Sequence, residues 1–392
     1  MELSWKTLMS ENIRPYQGYA IGKLFKLLHD PEIISLAGGL PSPDTFLIDQ
    51  LRSTSERRLR EGIDRIMQYT DISGEADLIE AVILFLGKDH IRVSEENVLI
   101  TSSGQQGLDL SGRLFLDPGD IILVDRPSFA GVDLESDGSD IDGFRKRIEM
   151  IERRHRKPKF IYVVPDFQNP SGITMQIEKR NALLDLSHAH GIPILEDSPY
   201  RNLRYSGDTV PSLFSLDQQR GGNNVIGIYT FSKLFCPGMR VGFNLAPKAV
   251  IEKMTNIKEG STLNTPKYNQ DMCAAFLKEM DWQGHVGKCR IYYRQKLKVL
   301  LDEMDRQFPK DAGITWAKPD GGLFVWVTLP KDVDTLKLFH KAVAYKVAFV
   351  PGNVFYAENP VYNHMRINFS FPPTAHLAEA VKRLARCISE PL

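Results

Sequence analysis

The string Tyr229-Thr230-Phe231-Ser232-Lys233-Leu234-Phe235-Cys236-Pro237-Gly238-Met239-Arg240 sets an amine just past an apolar run, beside two hydroxyls, a Pro-Gly turn and a guanidinium. An amine held among cationic and apolar neighbours loses proton affinity and becomes a nucleophile able to condense with a carbonyl carbon. Thr230, Ser232 and Arg240 are then placed to bind a phosphate attached to that carbonyl compound, with Arg240 as a two-pronged donor. The same spacing also suits an ordinary surface lysine after a strand.

Three further strings bear on the choice. Ile100-Thr101-Ser102-Ser103-Gly104-Gln105-Gln106-Gly107 follows an apolar run and opens a helical pattern. Free backbone N–H groups at a helix start, flanked by small residues, make an anion site, and a tight strand-to-helix turn explains the string equally well. In Val164-Pro165-Asp166-Phe167-Gln168-Asn169-Pro170-Ser171-Gly172, Asn169 can serve the turn or aim its amide at a ring oxygen. Asp197, in Ile192-Pro193-Ile194-Leu195-Glu196-Asp197-Ser198-Pro199-Tyr200, ends an apolar run, where a carboxylate needs a cation. That cation can be a nearby Arg or Lys, or a protonated ring nitrogen. A nucleophilic amine, a phosphate cradle, an acid for a ring nitrogen and donors for a ring oxygen together describe a site for pyridoxal 5'-phosphate.

These residues need a scaffold that brings strand ends together. From about residue 75 short apolar runs alternate with helical stretches: Val98 to Thr101, Ile121 to Val124, Phe160 to Val164, Ile192 to Leu195, Val225 to Phe231 and Val241 to Leu245. Runs buried on both faces and joined by helices predict a mainly parallel sheet in an α/β domain, with the site just beyond the strand ends. Beyond about residue 275 a long helix, Val286 to Phe308, basic on its exposed positions, precedes strand candidates at Gly322 to Leu329, Val347 to Val350 and His364 to Phe371, and a last helix from Ala375 to Ile388. This predicts a smaller α+β domain. Near the N-terminus an arm leads into a short helix with an apolar face at Ile21, Leu24, Phe25, Leu27 and Leu28, stopped at Asp30-Pro31. The expected division is residues 1–45 as arm and part of the small domain, 46–275 as the large domain and 276–392 as the small one.

The 392 residues are 42% hydrophobic and 25% charged, ordinary for a globular protein, which excludes disordered, collagen-like and coiled-coil chains. Lys plus Arg and Asp plus Glu number 49 each, so no net field favours nucleic acid or an anionic membrane. The four cysteines, Cys236, Cys273, Cys289 and Cys387, show no metal-ligand spacing and no disulfide framework. Without a signal-peptide pattern or a long apolar run, a cytoplasmic chain is expected, with no metal, nucleic acid or membrane partner.

The ordered motifs Leu36-Ala37-Gly38-Gly39-Leu40-Pro41, Gln68-Tyr69, Phe167-Gln168-Asn169-Pro170-Ser171-Gly172, Phe231-Ser232-Lys233 and Met365-Arg366-Ile367 span nearly the whole chain. They resemble the fold-type-I aminotransferases of class I/II, most closely the 2-aminoadipate and aromatic aminotransferase group, whose domain also occurs in MocR-type regulators. The resemblance implies a large domain with a seven-stranded-type sheet flanked by helices, a smaller α+β domain, and a homodimer with shared active sites. It implies that Lys233 forms the imine with pyridoxal 5'-phosphate and moves the substrate proton, that Asp197 keeps the ring nitrogen protonated, and that Tyr200 and Asn169 hold the ring oxygen. Gly104, Gln105, Thr230, Ser232 and Arg240 would hold the phosphate, with Tyr69 reaching the phosphate of the neighbouring subunit. Phe129 would stack on the ring. Arg366 would grip the substrate carboxylate, helped by Asn169, the Gly39 backbone and Tyr69, with Tyr19 nearby.

Two departures from the family pattern stand out. Ala20-Ile21-Gly22-Lys23 has glycine where the acid-handling members carry arginine, and Tyr19 and Leu40 suit an aromatic or aliphatic side chain better. After Phe129, Ala130-Gly131-Val132-Asp133-Leu134 runs almost straight into Glu135-Ser136-Asp137-Gly138, roughly 14 residues short of the family pattern, enough for a short helix plus a strand, either trimmed from the large domain or left out of this sequence. The expected activity is amino transfer from an L-amino acid to a 2-oxo acid such as 2-oxoglutarate. A β-lyase or decarboxylase on the same cofactor is the alternative. A regulator's effector domain fits less well, because the chain begins within the catalytic-domain arm.

Overall fold

A computed structural model describes residues 5–10, 13, 30–127, 132–356 and 358–390. Tyr19, Phe129, the Gly22-Lys23 pair and the helix expected across Ile21–Leu28 lie outside them.

Eight strands form the large sheet, in the order β2-β9-β8-β7-β6-β3-β4-β5. They are β2 (Val98–Thr101), β3 (Leu123–Arg126), β4 (Val132–Glu135), β5 (Gly138–Ser139), β6 (Ile161–Val163), β7 (Ile194–Asp197), β8 (Val225–Thr230) and β9 (Gly242–Leu245). From β4 to β8 through β3, β6 and β7 the pairings are parallel, and β9 runs antiparallel to both of its neighbours. The expected seven strands are present, with the two-residue β5 as an antiparallel eighth. After the short stretch that follows residue 129 the sheet continues: β4, next to the edge strand β5, pairs with β3 through Asp125↔Val132 and Arg126↔Asp133.

The apolar runs form the sheet interior because both faces are covered. On one face Leu99, Leu195 and Ile226 pack with Leu110 of α4 (Ser103–Phe115) and Ile251 and Met254 of α8 (Lys248–Glu259). On the other, Ile161, Val163, Ile194 and Val225 pack with Phe144 and Ile148 of α5 (Ile141–Glu152) and Leu183 and Leu184 of α6 (Ile177–His190). Each such side chain contributes ~1.5–3 kcal/mol by leaving water. Side chains alternate between the faces along a strand. Hence Glu196 meets the backbone N–H groups of Leu213 and Phe214 at 2.9 and 2.8 Å, while Asp197 points with Leu195 to the opposite face.

The second sheet is antiparallel, in the order β10-β11-β14-β13: β10 (Thr315–Trp316), β11 (Phe324–Thr328), β13 (Val350–Pro351) and β14 (His364–Asn368). It shares a core with α10 (Trp282–Gln307), α11 (Thr335–Ala344) and α12 (Thr374–Ser389). Lys296 departs from the exposed basic face expected of α10: it is buried, and its Nζ donates to the Ser370 carbonyl at 2.6 Å. Chain residues 34–35 join this part of the molecule, since β1 (Ile34–Ser35) pairs parallel with β12 (Val347–Ala348). The Gly-rich stretch that follows is therefore laid along β14, with the Asn368 N–H donating to the Leu36 carbonyl at 2.8 Å. No helix among the described residues is long and apolar enough to cross a membrane.

Candidate functional site

Three elements of the large sheet end at one place. The β8 ladder stops at Thr230, and Lys233 follows in the turn. Its Nζ is drawn inward and donates to the Gly39 carbonyl at 2.6 Å. Burial, then the positive charges of Arg240 and Arg366, push the lysine pKa down to about 8. No carboxylate pairs with Lys233, Arg240 or Arg366 among the described residues. The site carries a surplus of positive charge.

Arg240 gathers the hydroxyls. Its Nη2 donates to Ser103 Oγ and its Nη1 lies 3.5 Å from Ser232 Oγ. Thr230 Oγ1 donates to Ser232 Oγ at 2.9 Å and accepts from the Ser232 N–H at 3.1 Å. Helix α4 opens at Ser103, so the Gly104 and Gln105 N–H groups have no helical acceptor behind them. Gly242 makes this approach possible: a Cβ there would come within 2.5 Å of the Tyr229 carbonyl and 2.9 Å of the Gly104 nitrogen. Ser103 joins this hydroxyl cluster through Arg240, and sequence reasoning did not single it out, although it stands in the quoted string next to Gly104.

Asp197 closes the opposite wall. Burial raises its pKa to about 6, opposed by Tyr162, whose hydroxyl donates to Oδ2 at 2.9 Å. Tyr200 is buried beside it, edge-on to Phe324 with ring centroids 5.7 Å apart. Its hydroxyl pKa is raised, chiefly by burial, with Arg366 opposing and Asp197 adding. Asn169, Asp197 and Tyr200 line one cavity of about 380 Å³. The loops that carry Asn169 and Tyr200 are pinned from below by a buried charge cluster that the sequence did not reveal. Asp166 takes Arg180 at 2.7 Å and Arg201 at 3.2 Å, and Arg201 also reaches Asp89 at 3.0 Å. Burial alone would raise the Asp166 pKa, but the arginines hold it below the usual carboxylate range.

Arg366, in the middle of β14, is 4% exposed. Its Nη1 donates to Asn169 Oδ1 and its Nη2 to the Ala37 carbonyl, both at 2.7 Å. The guanidinium lies 4.2 Å from the Phe324 ring centroid and 5.1 Å from that of Phe355. Its Nε is buried with no acceptor among the described residues. Burial pushes its pKa down to about 10, with the Tyr200 hydroxyl opposing. A buried cation with an orphaned N–H and no anion suits an arriving carboxylate.

The sequence candidates thus divide. Asn169, Asp197 and Tyr200 line one cavity; Arg366 joins it through Asn169, Lys233 bonds Gly39, Thr230, Ser232 and Arg240 form one hydroxyl cluster, and Gly104 and Gln105 stand at the helix start beside it. Tyr69 does not join them within the chain: it is 75% exposed, just past α2 (Ile48–Ile66). A pyridine with a ring oxygen and a phosphate fits the donor set. Three clustered hydroxyls and a guanidinium suit the phosphate, a half-buried carboxylate without a cation among the described residues suits the ring nitrogen, and a half-buried amine feels the charge of both arginines.

The class I and II aminotransferase pattern matches residues 32–384. The aromatic-amino-acid aminotransferase 1 of Thermococcus litoralis is 34% identical over 403 aligned positions, covering 99% of this chain and 95% of that protein. The 2-aminoadipate transaminase of Thermus thermophilus is 35% identical over 400, covering 98% of each chain. The crystal structure of Pyrococcus horikoshii kynurenine aminotransferase in complex with PMP, KYN as substrates and KYA as products superposes with a TM-score of 0.92. It is 33% identical, over 98% of this chain and 97% of that one.

Proposed function

The chain belongs to the class I and II aminotransferases, pyridoxal 5'-phosphate-dependent enzymes, and on that premise we propose how its own residues divide the work of amino transfer. The donor is an aromatic, aliphatic or 2-aminoadipate-like L-amino acid and the acceptor a 2-oxo acid, with 2-oxoglutarate as the first choice. The names of the two relatives support the aromatic and 2-aminoadipate donors. When bound, the cofactor supplies an electrophilic carbon for the substrate amine and an electron sink for the bond cleaved at Cα.

Lys233 holds the cofactor and then takes and returns the proton at the substrate Cα. Its lowered pKa leaves a useful fraction of free amine near neutrality. Ser103, Thr230, Ser232, Arg240 and the α4 N-terminus hold the phosphate. Asp197 pairs with the ring nitrogen, and Asn169 and Tyr200 donate to the ring oxygen. Arg366 orients the substrate by its carboxylate, using the orphaned Nε, which fixes the Cα–H direction. The observation that carries this reading is a pair of cations without a carboxylate partner among the described residues, the buried Arg366 and the half-buried Lys233, together with an Asp197 carboxylate that has no cation partner there.

Ile63, Met67 and Tyr69 form an exposed apolar strip at the end of α2, 54, 61 and 75% exposed. Such a strip suits a second copy of the chain, with Tyr69 completing the neighbour's site. Four buried, unpaired thiols suit a reducing compartment, the cytoplasm.

The test is chemical. The protein is loaded with pyridoxal phosphate, reduced with borohydride and mapped by peptide mass, and the label is expected on Lys233. Absorbance then follows the loaded protein against a panel of amino acids, and the aromatic and 2-aminoadipate members should convert it fastest. A preparation that stays unlabelled refutes the reading.

A further inference from the structure

Tyr162 lies in the middle of β6, and register pairs it with Leu195 of β7. Paired residues share a sheet face, so Tyr162 and Asp197, two residues beyond Leu195, share one too. The diagonal neighbour on an adjacent strand is within reach of an aromatic side chain. Here the phenol spans that diagonal and donates to Asp197 Oδ2 at 2.9 Å. The surroundings offer the carboxylate little else. In the cavity of about 380 Å³ that both residues line, α4 contributes Leu108, β3 contributes Val124 and the helical turn at Gly352–Phe355 contributes Phe355, all apolar. The titratable groups among the described lining residues are Tyr162, Asp197 and Tyr200. Glu196 faces the other side of the sheet, and Lys233 and Arg366 are held by the Gly39 and Ala37 carbonyls.

We infer that Tyr162 is a positioning residue for the cofactor: its hydroxyl fixes the Asp197 carboxylate and keeps it ionised to receive a protonated ring nitrogen. The inference rests on the function proposed above. A carboxylate in an apolar hollow favours its neutral form, and a hydrogen bond to the charged form opposes that. Without the phenol, Asp197 stays protonated to a higher pH, and a protonated carboxyl offers the ring nitrogen no charge. The loss is confined to the acid side, where the residue is neutral.

The experiment is a cofactor titration of Tyr162→Phe and wild type from pH 5.5 to 9, read by absorbance, with a melting curve of each unloaded protein. The acid limb of the affinity profile should move up by about one pH unit, a loss of roughly tenfold at the acid end that closes at high pH. The melting temperature of the unloaded protein should fall by a few degrees at most, and only where Asp197 is ionised. In an Asp197→Asn background, adding Tyr162→Phe should change neither affinity nor profile. A uniform loss at every pH, no shift, or a further tenfold loss on top of Asp197→Asn overturns the inference while the proposed function stands. If Tyr162→Phe does not fold, Tyr162→Leu is titrated in the same way, alone and in the Asp197→Asn background, and is judged by the same outcomes. A wild-type protein that takes up no cofactor removes both.

Discussion

Replacing Arg366 with methionine separates binding from folding. The guanidinium is buried, and its pKa falls from 12.5 to about 10. At ~1.4 kcal/mol per unit, that is ~3 kcal/mol against keeping the charge in the resting protein. Its bonds to Asn169 Oδ1 and the Ala37 carbonyl return a similar amount, at ~1.5–3 kcal/mol for each bond from a charged donor. The cation is thus close to break-even until an anion arrives, and Arg366→Met should leave the unloaded fold within ~1–2 kcal/mol. A substrate carboxylate, in contrast, loses two charge-assisted bonds, ~3–6 kcal/mol, or ~10²–10⁴ in kcat/KM. The assay is single-turnover conversion of the loaded enzyme by phenylalanine, leucine and 2-aminoadipate, beside a melting curve of the unloaded protein. The three donors should lose by similar factors, because the α-carboxylate is what they share. A loss confined to one side chain, or a kcat/KM within threefold of wild type, refutes the reasoning.

Lys233→Ala should abolish turnover and borohydride labelling while cofactor still binds through its phosphate, as equilibrium dialysis would register. Attachment of cofactor to the wild-type protein needs the neutral amine, and the Lys233 pKa is lowered to about 8. The attachment rate should therefore rise about tenfold per pH unit below that value and level off above it, as stopped-flow absorbance can follow. Gly242→Ala should weaken cofactor affinity more than stability alone explains, because its Cβ would press on the first residues of α4, 2.9 Å from the Gly104 nitrogen. Overpacking of this kind typically costs ~1–3 kcal/mol, and an unchanged dissociation constant would reject the assignment of that helix start to the cradle.

The strands that carry the site were legible because a parallel sheet covered on both faces leaves unbroken apolar runs, and Val98–Thr101 matches its run residue for residue. At β7 the run begins at Ile192 but the strand begins at Ile194 and extends to Asp197, since β8 continues to pair there. A polar residue is thus carried at the end of a ladder, which hydrophobicity alone does not mark. Lys233, Asp197 and Arg366 were readable as chemistry in the wrong setting, charged groups next to apolar runs. Tyr162 and the Asp166–Arg180–Arg201 cluster were not, because a tyrosine in a strand and arginines in helical or loop stretches look ordinary until register and packing bring them together. β4 pairs with β3 through Asp125↔Val132 and Arg126↔Asp133 despite the short stretch of sequence between them.

Nη2 and Nε share one edge of the Arg366 fork, and that edge is half taken by the Ala37 oxygen, as the Lys233 amine is taken by Gly39. The resting protein has filled its own acceptor places with a stretch of three residues. Ligation is then a substitution: whatever arrives at the amine unties Gly39, and whatever arrives at the fork unties Ala37. Asn368 and Ser370 still hold the Leu36 and Leu40 carbonyls, so the three residues between them loosen in two stages while their flanks stay fixed, and amide hydrogen exchange from Ala37 to Gly39 should report occupancy.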